Sequence, residues 1–132
     1  MNQDKKPGLA HGGDLTYRII GLAMNVPRHL GPGLIESVYQ KCLCHELRKA
    51  GLPFEQQVSL RITYDGVELE SEYLADLIVS DEVILELKAV EHLNALHEAQ
   101  LLTYLRLSGC KIGLLINFNT VVLTDGIRRR VL

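Results

Sequence analysis

The chain has 132 residues, of which 47% are hydrophobic and 23% charged, and its formal net charge is −2. These values are typical of one globular domain, and they exclude a protein that attracts nucleic acid through its overall charge. No apolar run is long enough to cross a membrane, and three cysteines, an odd number, favour a reducing cytoplasm over a disulfide framework. Residues 1–13 are polar and lack a signal-peptide core, so we expect a disordered tail followed by one domain at 14–132.

Two amphipathic helices are predicted at the start of the domain. The first runs from Asp14, a possible N-cap, to about Arg28, with Pro27 as its stop signal. The second follows a glycine-rich break and covers about 34–50. Its apolar stripe consists of Ile35, Val38, Tyr39, Cys42, Leu43 and Leu47. Glu36 lies beside that stripe rather than on the opposite face.

The apolar pattern changes to a period of two after the second helix. One strand is predicted over 54–64, and the Asp65-Gly66 pair indicates a tight hairpin turn. The return strand is predicted over 67–79, with a bend near Ser71.

The remaining elements complete a mixed sheet. A turn at 80–82 leads into a strand over 83–89, and a third helix covers about 93–107. The continuous apolar run at 111–118 predicts a strand covered on both faces, and two short strands are predicted to close the chain. The order ααβββαββ predicts an α/β fold with a mixed central sheet flanked by helices.

The hairpin at 76–89 carries ionisable residues among Leu, Ile and Val. If its turn is centred on Asp81, then Asp76 and Glu86 stand opposite each other, with Cβ atoms about 5 Å apart. Two carboxylates at that distance repel each other unless one is protonated or a cation lies between them, and Mg²⁺ favours such a site. Lys88, two residues after Glu86, shares the same face. The pattern therefore predicts a site with two acids and an amine.

Two other interpretations of this face remain open. It can be a solvated strand face with an ordinary Glu-Lys pair, although Ile84 lies on the same face and argues against full solvation. It can also hold a structural buried ion pair without catalysis.

These residues resemble the PD-(D/E)XK nuclease superfamily, in the pattern D-x₉-E-x-K across a hairpin preceded by an acidic helix residue. They are more closely similar to the small bacterial proteins called the GxxExxY family, whose motif stands here as Gly33, Glu36 and Tyr39. The similarity covers nearly all of 14–132. Further similar segments are YLADLIV (73–79), VILELKAV (83–90), HEAQLLTYL (97–105) and GLLINF (113–118). The chain departs from the expected pattern at Pro27, where the family has a histidine; His29 lies two positions later.

The resemblance implies a restriction-endonuclease-like core, αβββαβ, and a metal-dependent active site. Asp76 and Glu86 would bind Mg²⁺ or Mn²⁺, Lys88 would orient or activate the attacking water, and Glu36 would add a further acidic ligand from the helix. Gln100 and Tyr104 match the Q-x₃-Y element of the RecB-type branch and would line the same cleft. Their spacing independently places them on one helical face, although core packing also explains Tyr104.

Other polar residues have weaker signals. His92 and His97 flank the third helix and can contact phosphate, although a surface or capping role explains them equally simply. The only basic run, at 128–130, can contact a phosphate backbone or form a solvated face.

The sequence thus predicts a metal-dependent phosphodiesterase that acts on nucleic acid, with DNA preferred. No Ser or Cys stands beside a His as a covalent nucleophile would. One alternative is a module that keeps the fold and binds nucleic acid or protein with little or no hydrolysis. Another is an assembly subunit, a homodimer formed through apolar strands, whose nuclease partner or DNA-recruiting protein is a separate chain; such a partner can supply the specificity.

Overall fold

The computed structural model describes residues 13–132. Its elements in chain order are α1 (Gly13–Leu30), α2 (Glu36–Lys49), β1 (Phe54–Ser59), β2 (Ile62–Tyr64), β3 (Val67–Leu69), β4 (Leu74–Val79), β5 (Val83–Lys88), α3 (Ala95–Ser108), β6 (Ile112–Asn117), a 3₁₀ helix (Leu123–Gly126) and β7 (Ile127–Val131). The tail predicted for 1–13 lies outside the described residues, except for Gly13, which begins α1.

A five-stranded mixed sheet forms the centre of the fold. Its order is β1-β4-β5-β6-β7; β5 and β6 are parallel and the other neighbours are antiparallel. Every residue of β6 is buried, as expected for the predicted strand with two covered faces. The predicted α/β fold, a restriction-endonuclease-like mixed sheet flanked by helices, is confirmed.

Each face of the sheet buries a separate apolar cluster. Helices α1 and α2 cover one face, where Leu85 and Leu87 of β5 are fully buried. Helix α3 covers the other face and packs on Ile84. Neighbouring residues of β5 therefore enter opposite clusters, because successive side chains of a strand point to opposite faces.

The predicted strand 54–64 is divided into β1 and β2. The first piece ends at Ser59, and the N–H of the buried Leu60 donates to the carbonyl of Tyr73 (2.9 Å), one step beyond the last pair of β1 and β4. The return strand is divided as well, so that β1 pairs with β4 while β2 and β3 form a separate two-stranded hairpin. The alternating pattern continues through the break, which is why the sequence predicts one long hairpin.

The end of the chain has one closing strand instead of the two predicted. Val121 and Val122 lie exposed in the connection, and a 3₁₀ helix follows. This connection is held close to the end of β6, since a Cβ added to Gly126 would lie 2.5 Å from the carbonyl oxygen of Asn117. A tight turn against β6 therefore replaces the extra strand.

The helix boundaries also differ from the predicted ones in places. Pro27 lies inside α1 instead of stopping it, because a proline removes only its own N–H and the last turn closes through the Gly31 N–H and the Pro27 carbonyl (2.8 Å). Ile35 is the N-cap of α2 and is 69% exposed, so it does not belong to the apolar stripe. No helix within residues 13–132 has the length and apolarity needed to cross a membrane.

Candidate active site

The β4–β5 hairpin brings the two predicted acids to the same level of the sheet. Its turn places Ser80 and Asp81 in the left-handed backbone region, with φ of 53° and 56°. The paired residues are Val79 and Val83, Ile78 and Ile84, and Leu77 and Leu85. This register is centred on Asp81, as the sequence predicts, and the next residues outward are Asp76 and Glu86.

At that level the backbone ladder stops and carboxylates take over the hydrogen bonds. The N–H of Asp76 donates to Glu86 Oε2 (2.8 Å), and the N–H of Leu87 donates to Asp76 Oδ2 (2.8 Å). One carboxylate oxygen of each acid therefore accepts a hydrogen bond from the opposite strand, and the second oxygen is available to a ligand. The backbone pairing of the two strands therefore ends at the level of the carboxylates.

Asp76 is also unpaired on its other side. The β1–β4 register runs from Phe54 and Val79 to Ser59 and Leu74 but omits Gln57 and Asp76. Gln57 adopts φ of 49°, a left-handed conformation that is uncommon for a residue other than glycine. The carbonyl of Asp76 instead accepts a long hydrogen bond from Gln40 Nε2 of α2 (3.5 Å). Side chains, rather than neighbouring strands, therefore hold the backbone of Asp76.

Burial acts on both acids, and the charge of Asp76 acts on Glu86 as well. Glu86 is only 4% exposed, and burial followed by the charge of Asp76 raises its pKa to about 8. Burial also raises the pKa of Asp76, although the Leu87 N–H and the charge of Lys88 oppose the rise. A cation that neutralises these carboxylates would remove the conflict.

Lys88 lies at the last position of β5, level with Asn117 of β6. It is half-buried, and its charge lowers the pKa of both acids and of Glu36. The end of β5 is fixed by the Phe118 N–H, which donates to the Lys88 carbonyl (2.9 Å). Asn117 contributes further, because its side chain donates to the Val90 carbonyl (2.9 Å) and accepts from the Val90 N–H (3.0 Å).

Glu36 reaches this site from the first turn of α2. The loop before it is tied down by Tyr39, whose hydroxyl donates to the Gly31 carbonyl (2.6 Å) and accepts from the Leu34 N–H (3.2 Å). The fully buried ring of Tyr39 stacks on Phe118 at the end of β6, with centroids 4.8 Å apart. Helix α2 therefore begins at a fixed place beside the ends of β5 and β6.

The surroundings of Glu36 are those of a cleft rather than of bulk solvent. Its side chain is half-buried, and burial followed by the charge of Asp76 raises its pKa, while Lys88 lowers it. Its position at a helix N-terminus favours a negative charge as well.

We expect Glu36→Gln to weaken Mg²⁺ or Mn²⁺ binding about tenfold, the lower range for a group that supports a metal site. The metal-free protein should keep its thermal midpoint or gain slightly, because the substitution removes a carboxylate that is repelled by Asp76. Calorimetric titration and thermal unfolding without metal measure the two effects. Glu55→Gln, an exposed position on β1, is the control. A large loss of metal-free stability would instead identify Glu36 as a structural anchor.

Gln100 and Tyr104 lie side by side on α3, and Gln100 Nε2 donates to the hydroxyl of Tyr104 (3.0 Å). Tyr104 is 4% exposed and packs in the apolar cluster under α3, so its ring has a core role. Burial and then the charge of Glu86 raise the pKa of its hydroxyl, which places the tyrosine beside the carboxylates as well. Tyr104 therefore has a core-packing role and also lies near the site, so the two interpretations of this residue are compatible.

The side chains at this site do not provide a complete set of metal ligands by themselves. Within residues 13–132, no three His, Cys, Asp or Glu side chains are grouped closely enough to hold a metal ion. Mg²⁺, however, commonly binds through one or two carboxylates and completes its shell with water and substrate phosphate. Asp76 and Glu86, two adjacent acids with a free oxygen each and raised pKa values, fit that mode of binding.

The other predicted polar residues lie elsewhere. His97 forms a capping box with Asn94 at the start of α3, which confirms its capping role. His92 is exposed beside Glu91. In the basic run, Arg130 pairs with Glu98 of α3 and Arg128 donates to the Asp125 carbonyl (3.1 Å).

Sequence reasoning missed the residues that support the site. Gln40 and Asn117 hold backbone groups beside it through contacts distant in sequence. Asn117, a buried polar residue at the end of an apolar strand, carried a usable signal, because buried amides need partners. Gln40, on an ordinary helix, carried none.

The comparisons with known proteins agree with this geometry. The family model described as the PD-(D/E)XK nuclease superfamily matches residues 13–130. No curated protein and no solved structure matches the chain significantly. The matched region includes both helices before the sheet, the open hairpin with its acids, and α3. The chain belongs to the PD-(D/E)XK nuclease superfamily.

Proposed function

We propose that this protein is a nuclease that hydrolyses phosphodiester bonds of DNA with Mg²⁺ or Mn²⁺. The observation that carries the proposal is the opening of the β4–β5 ladder at Asp76 and Glu86. A purely structural hairpin would continue its backbone pairing, whereas this one uses carboxylates to replace it and leaves an oxygen of each acid for a ligand.

In this proposal each side chain has a separate role. Asp76 and Glu86 hold the cation, and Glu36 adds negative charge from α2. The bound cation would polarise the scissile phosphate and lower the pKa of a water molecule. Lys88 orients the attacking water and stabilises negative charge that develops on the phosphate oxygens. Gln100 and Tyr104 line the substrate side of the cleft.

We also assign the chain to the GxxExxY family, within the RecB-type branch. The three motif residues have a common structural purpose that supports this assignment. Gly33 adopts φ of 100°, which disfavours other residues, and Tyr39 ties the same loop to β6. Glu36 lies between them in sequence, and the charge of Asp76 contributes, after burial, to its raised pKa, which supports a place for Glu36 near the acids of the hairpin.

Cleavage of defined DNA substrates tests the proposal. The purified protein should cut linear, nicked, branched or single-stranded DNA when Mg²⁺ or Mn²⁺ is present, and a chelator should stop the reaction. RNA substrates of the same structures show whether the protein prefers deoxyribose or ribose. If the protein cuts none of these substrates with either metal, the isolated chain is not a nuclease.

A binding module is the second candidate, and one observation favours it. The net charge is −2, and two arginines of the basic run are engaged within the protein rather than presented together to a phosphate backbone. Weak binding without turnover would follow from such a surface. Calorimetry distinguishes the two candidates, because a module that only binds nucleic acid does not need a divalent ion.

We further propose that the protein acts in the cytoplasm and depends on assembly for its specificity. Its three cysteines are free thiols, as a reducing compartment would maintain them. The β2–β3 hairpin exposes Tyr64, Val67 and Leu69, apolar surface that a second copy or another protein can cover. Sedimentation of the purified chain tests for a homodimer.

A further inference from the structure

A pocket shares Gln100 and Tyr104 with the proposed active site. It has a volume of about 320 Å³, and its walls come from the start of α3 and from the residue that precedes β4. The lining side chains include Tyr73, Leu96, His97, Gln100, Thr103 and Tyr104. Two of them, Gln100 and Tyr104, are the predicted cleft residues, so the pocket continues the cleft away from the carboxylates.

Tyr73 forms an exposed aromatic wall of this pocket. Its ring is 48% exposed and lies next to the ring of Tyr104, with centroids 6.0 Å apart and planes at 54°. Its backbone is held on both sides, because its N–H donates to Ser71 Oγ (3.0 Å) and its carbonyl accepts from the Leu60 N–H (2.9 Å). The ring is therefore presented by a fixed backbone rather than by a loose loop.

The pocket lies within one nucleotide's reach of the acids. Tyr73 precedes Asp76 by three residues, which span about 10 Å of extended chain. On the other wall, the charge of Glu86 contributes to the raised pKa of Tyr104, after burial. A nucleotide with its phosphate at the carboxylates can thus place its base against Tyr73.

Charged groups at the start of α3 are already engaged within the protein. Glu98, next to the lining residue His97, forms an ion pair with Arg130. His97 is engaged in the capping box of α3. Stacking of a base on an aromatic ring does not depend on these charges, and it supplies substantial affinity for single-stranded nucleic acid.

We infer that the pocket formed by Tyr73, Leu96 and Tyr104 binds an unpaired nucleobase of the substrate, so that the site acts on single-stranded segments or ends rather than on intact duplex. The inference rests on the proposed function, since it places the base next to the phosphate bound at Asp76 and Glu86. A base held in a duplex is stacked on both faces, and it must leave the stack before it can contact Tyr73.

Binding of short oligonucleotides tests the inference. The full chain with Lys88→Ala keeps the oligonucleotide intact, and fluorescence anisotropy in Mg²⁺ measures its affinity. In this background Tyr73→Leu should weaken single-strand binding roughly 10- to 100-fold, the range for loss of one stacked base. Tyr73→Phe should retain the affinity. The loss should be similar at low and high salt, because stacking releases no counterions.

Two controls make the result specific. Tyr64→Leu removes another exposed tyrosine, on the β2–β3 hairpin, and should leave the affinity unchanged. A scan with single abasic nucleotides should find one position that weakens binding to the Tyr73 protein but not to the Tyr73→Leu protein. Oligonucleotides of the same sequence in DNA and RNA distinguish the two sources of the base.

The inference and the nuclease function fail in different ways. Cleavage by the wild-type protein, together with equal binding by Tyr73→Leu and Tyr64→Leu, would overturn the inference and leave the nuclease in place. A Tyr73-specific loss of binding without any cleavage by wild type would support the base pocket and reject the nuclease. Tighter binding to intact duplex than to single strands, or no binding to either, would overturn the inference.

Discussion

Lys88→Ala is expected to slow DNA cleavage by about 10²–10³-fold, the usual effect of removing one preorganised donor from an active site. The half-buried ammonium stands on the same strand face as Glu86, and the carbonyl of Lys88 is fixed by Phe118. The strand position that carries this side chain is therefore fixed before the substrate binds. Single-turnover rates with saturating Mg²⁺ measure the loss.

Measurements of metal affinity distinguish the expected role of Lys88 from the roles of the acids. An ammonium cannot be a metal ligand, so calorimetric titration of Lys88→Ala should give nearly the wild-type Mg²⁺ or Mn²⁺ affinity. Asp76→Ala should lose both cleavage and metal binding, because it removes a ligand oxygen. Lys111→Ala is the matched control, an exposed lysine just before β6, at the opposite end of the sheet. Equal residual cleavage by wild type and Lys88→Ala would indicate a contaminating nuclease.

The metal-free protein is expected to lose stability as the pH rises from about 5 to 9, and Glu86 should cause most of this loss. Burial and then the charge of Asp76 raise the pKa of Glu86 from its ordinary value of 4.5 to about 8 in the folded protein. Because the folded pKa is the higher one, the folded state binds more protons in this window, and the stabilising contribution disappears as the pH rises through 8. Each pKa unit corresponds to about 1.4 kcal/mol, so the change amounts to a few kcal/mol.

Denaturant titrations at pH 5.5 and 8.5, with and without Mg²⁺, measure this effect. Glu86→Gln should flatten the pH dependence, whereas Glu82→Gln, at an exposed turn position, should not. Mg²⁺ at 100 times its dissociation constant should stabilise the wild-type protein at pH 8.5 by about 2.7 kcal/mol and Glu86→Gln by less. If the metal-free wild-type protein is equally stable at both pH values, the pKa of Glu86 is not raised by folding, and this prediction is wrong.

The sequence by itself determined the central hairpin, because the register of a tight hairpin follows from its turn. With the turn centred on Asp81, counting outward places Asp76 level with Glu86, and the observed pairs follow this register. The continuous apolar run at 111–118 likewise predicted a buried strand, since side chains on both faces of a strand are apolar when other elements cover both faces. Local patterns of this kind depend on residues close in the chain.

The tertiary structure decided where the sheet opens and what surrounds the opening. Gln57 adopts a left-handed conformation, although nothing in its residue type indicates one, and Asp76 leaves both neighbouring ladders. Tyr39 connects the loop before α2 to Phe118, directly after β6, a contact between residues 79 positions apart, and this contact fixes where α2 begins.

The ends of the strands were likewise decided by the tertiary structure. The alternating pattern continues through Leu60 and Tyr73, so the sequence predicted one long hairpin. The return strand, however, has two extra residues between the pairs Ser59–Leu74 and Ile62–Leu69, and this change of register divides the hairpin. Tyr73, which lines a pocket together with residues of α3, lies beside that division. Periodicity records which face of a strand is apolar, but only contacts between distant segments decide where a strand ends and which side chains meet in a cleft.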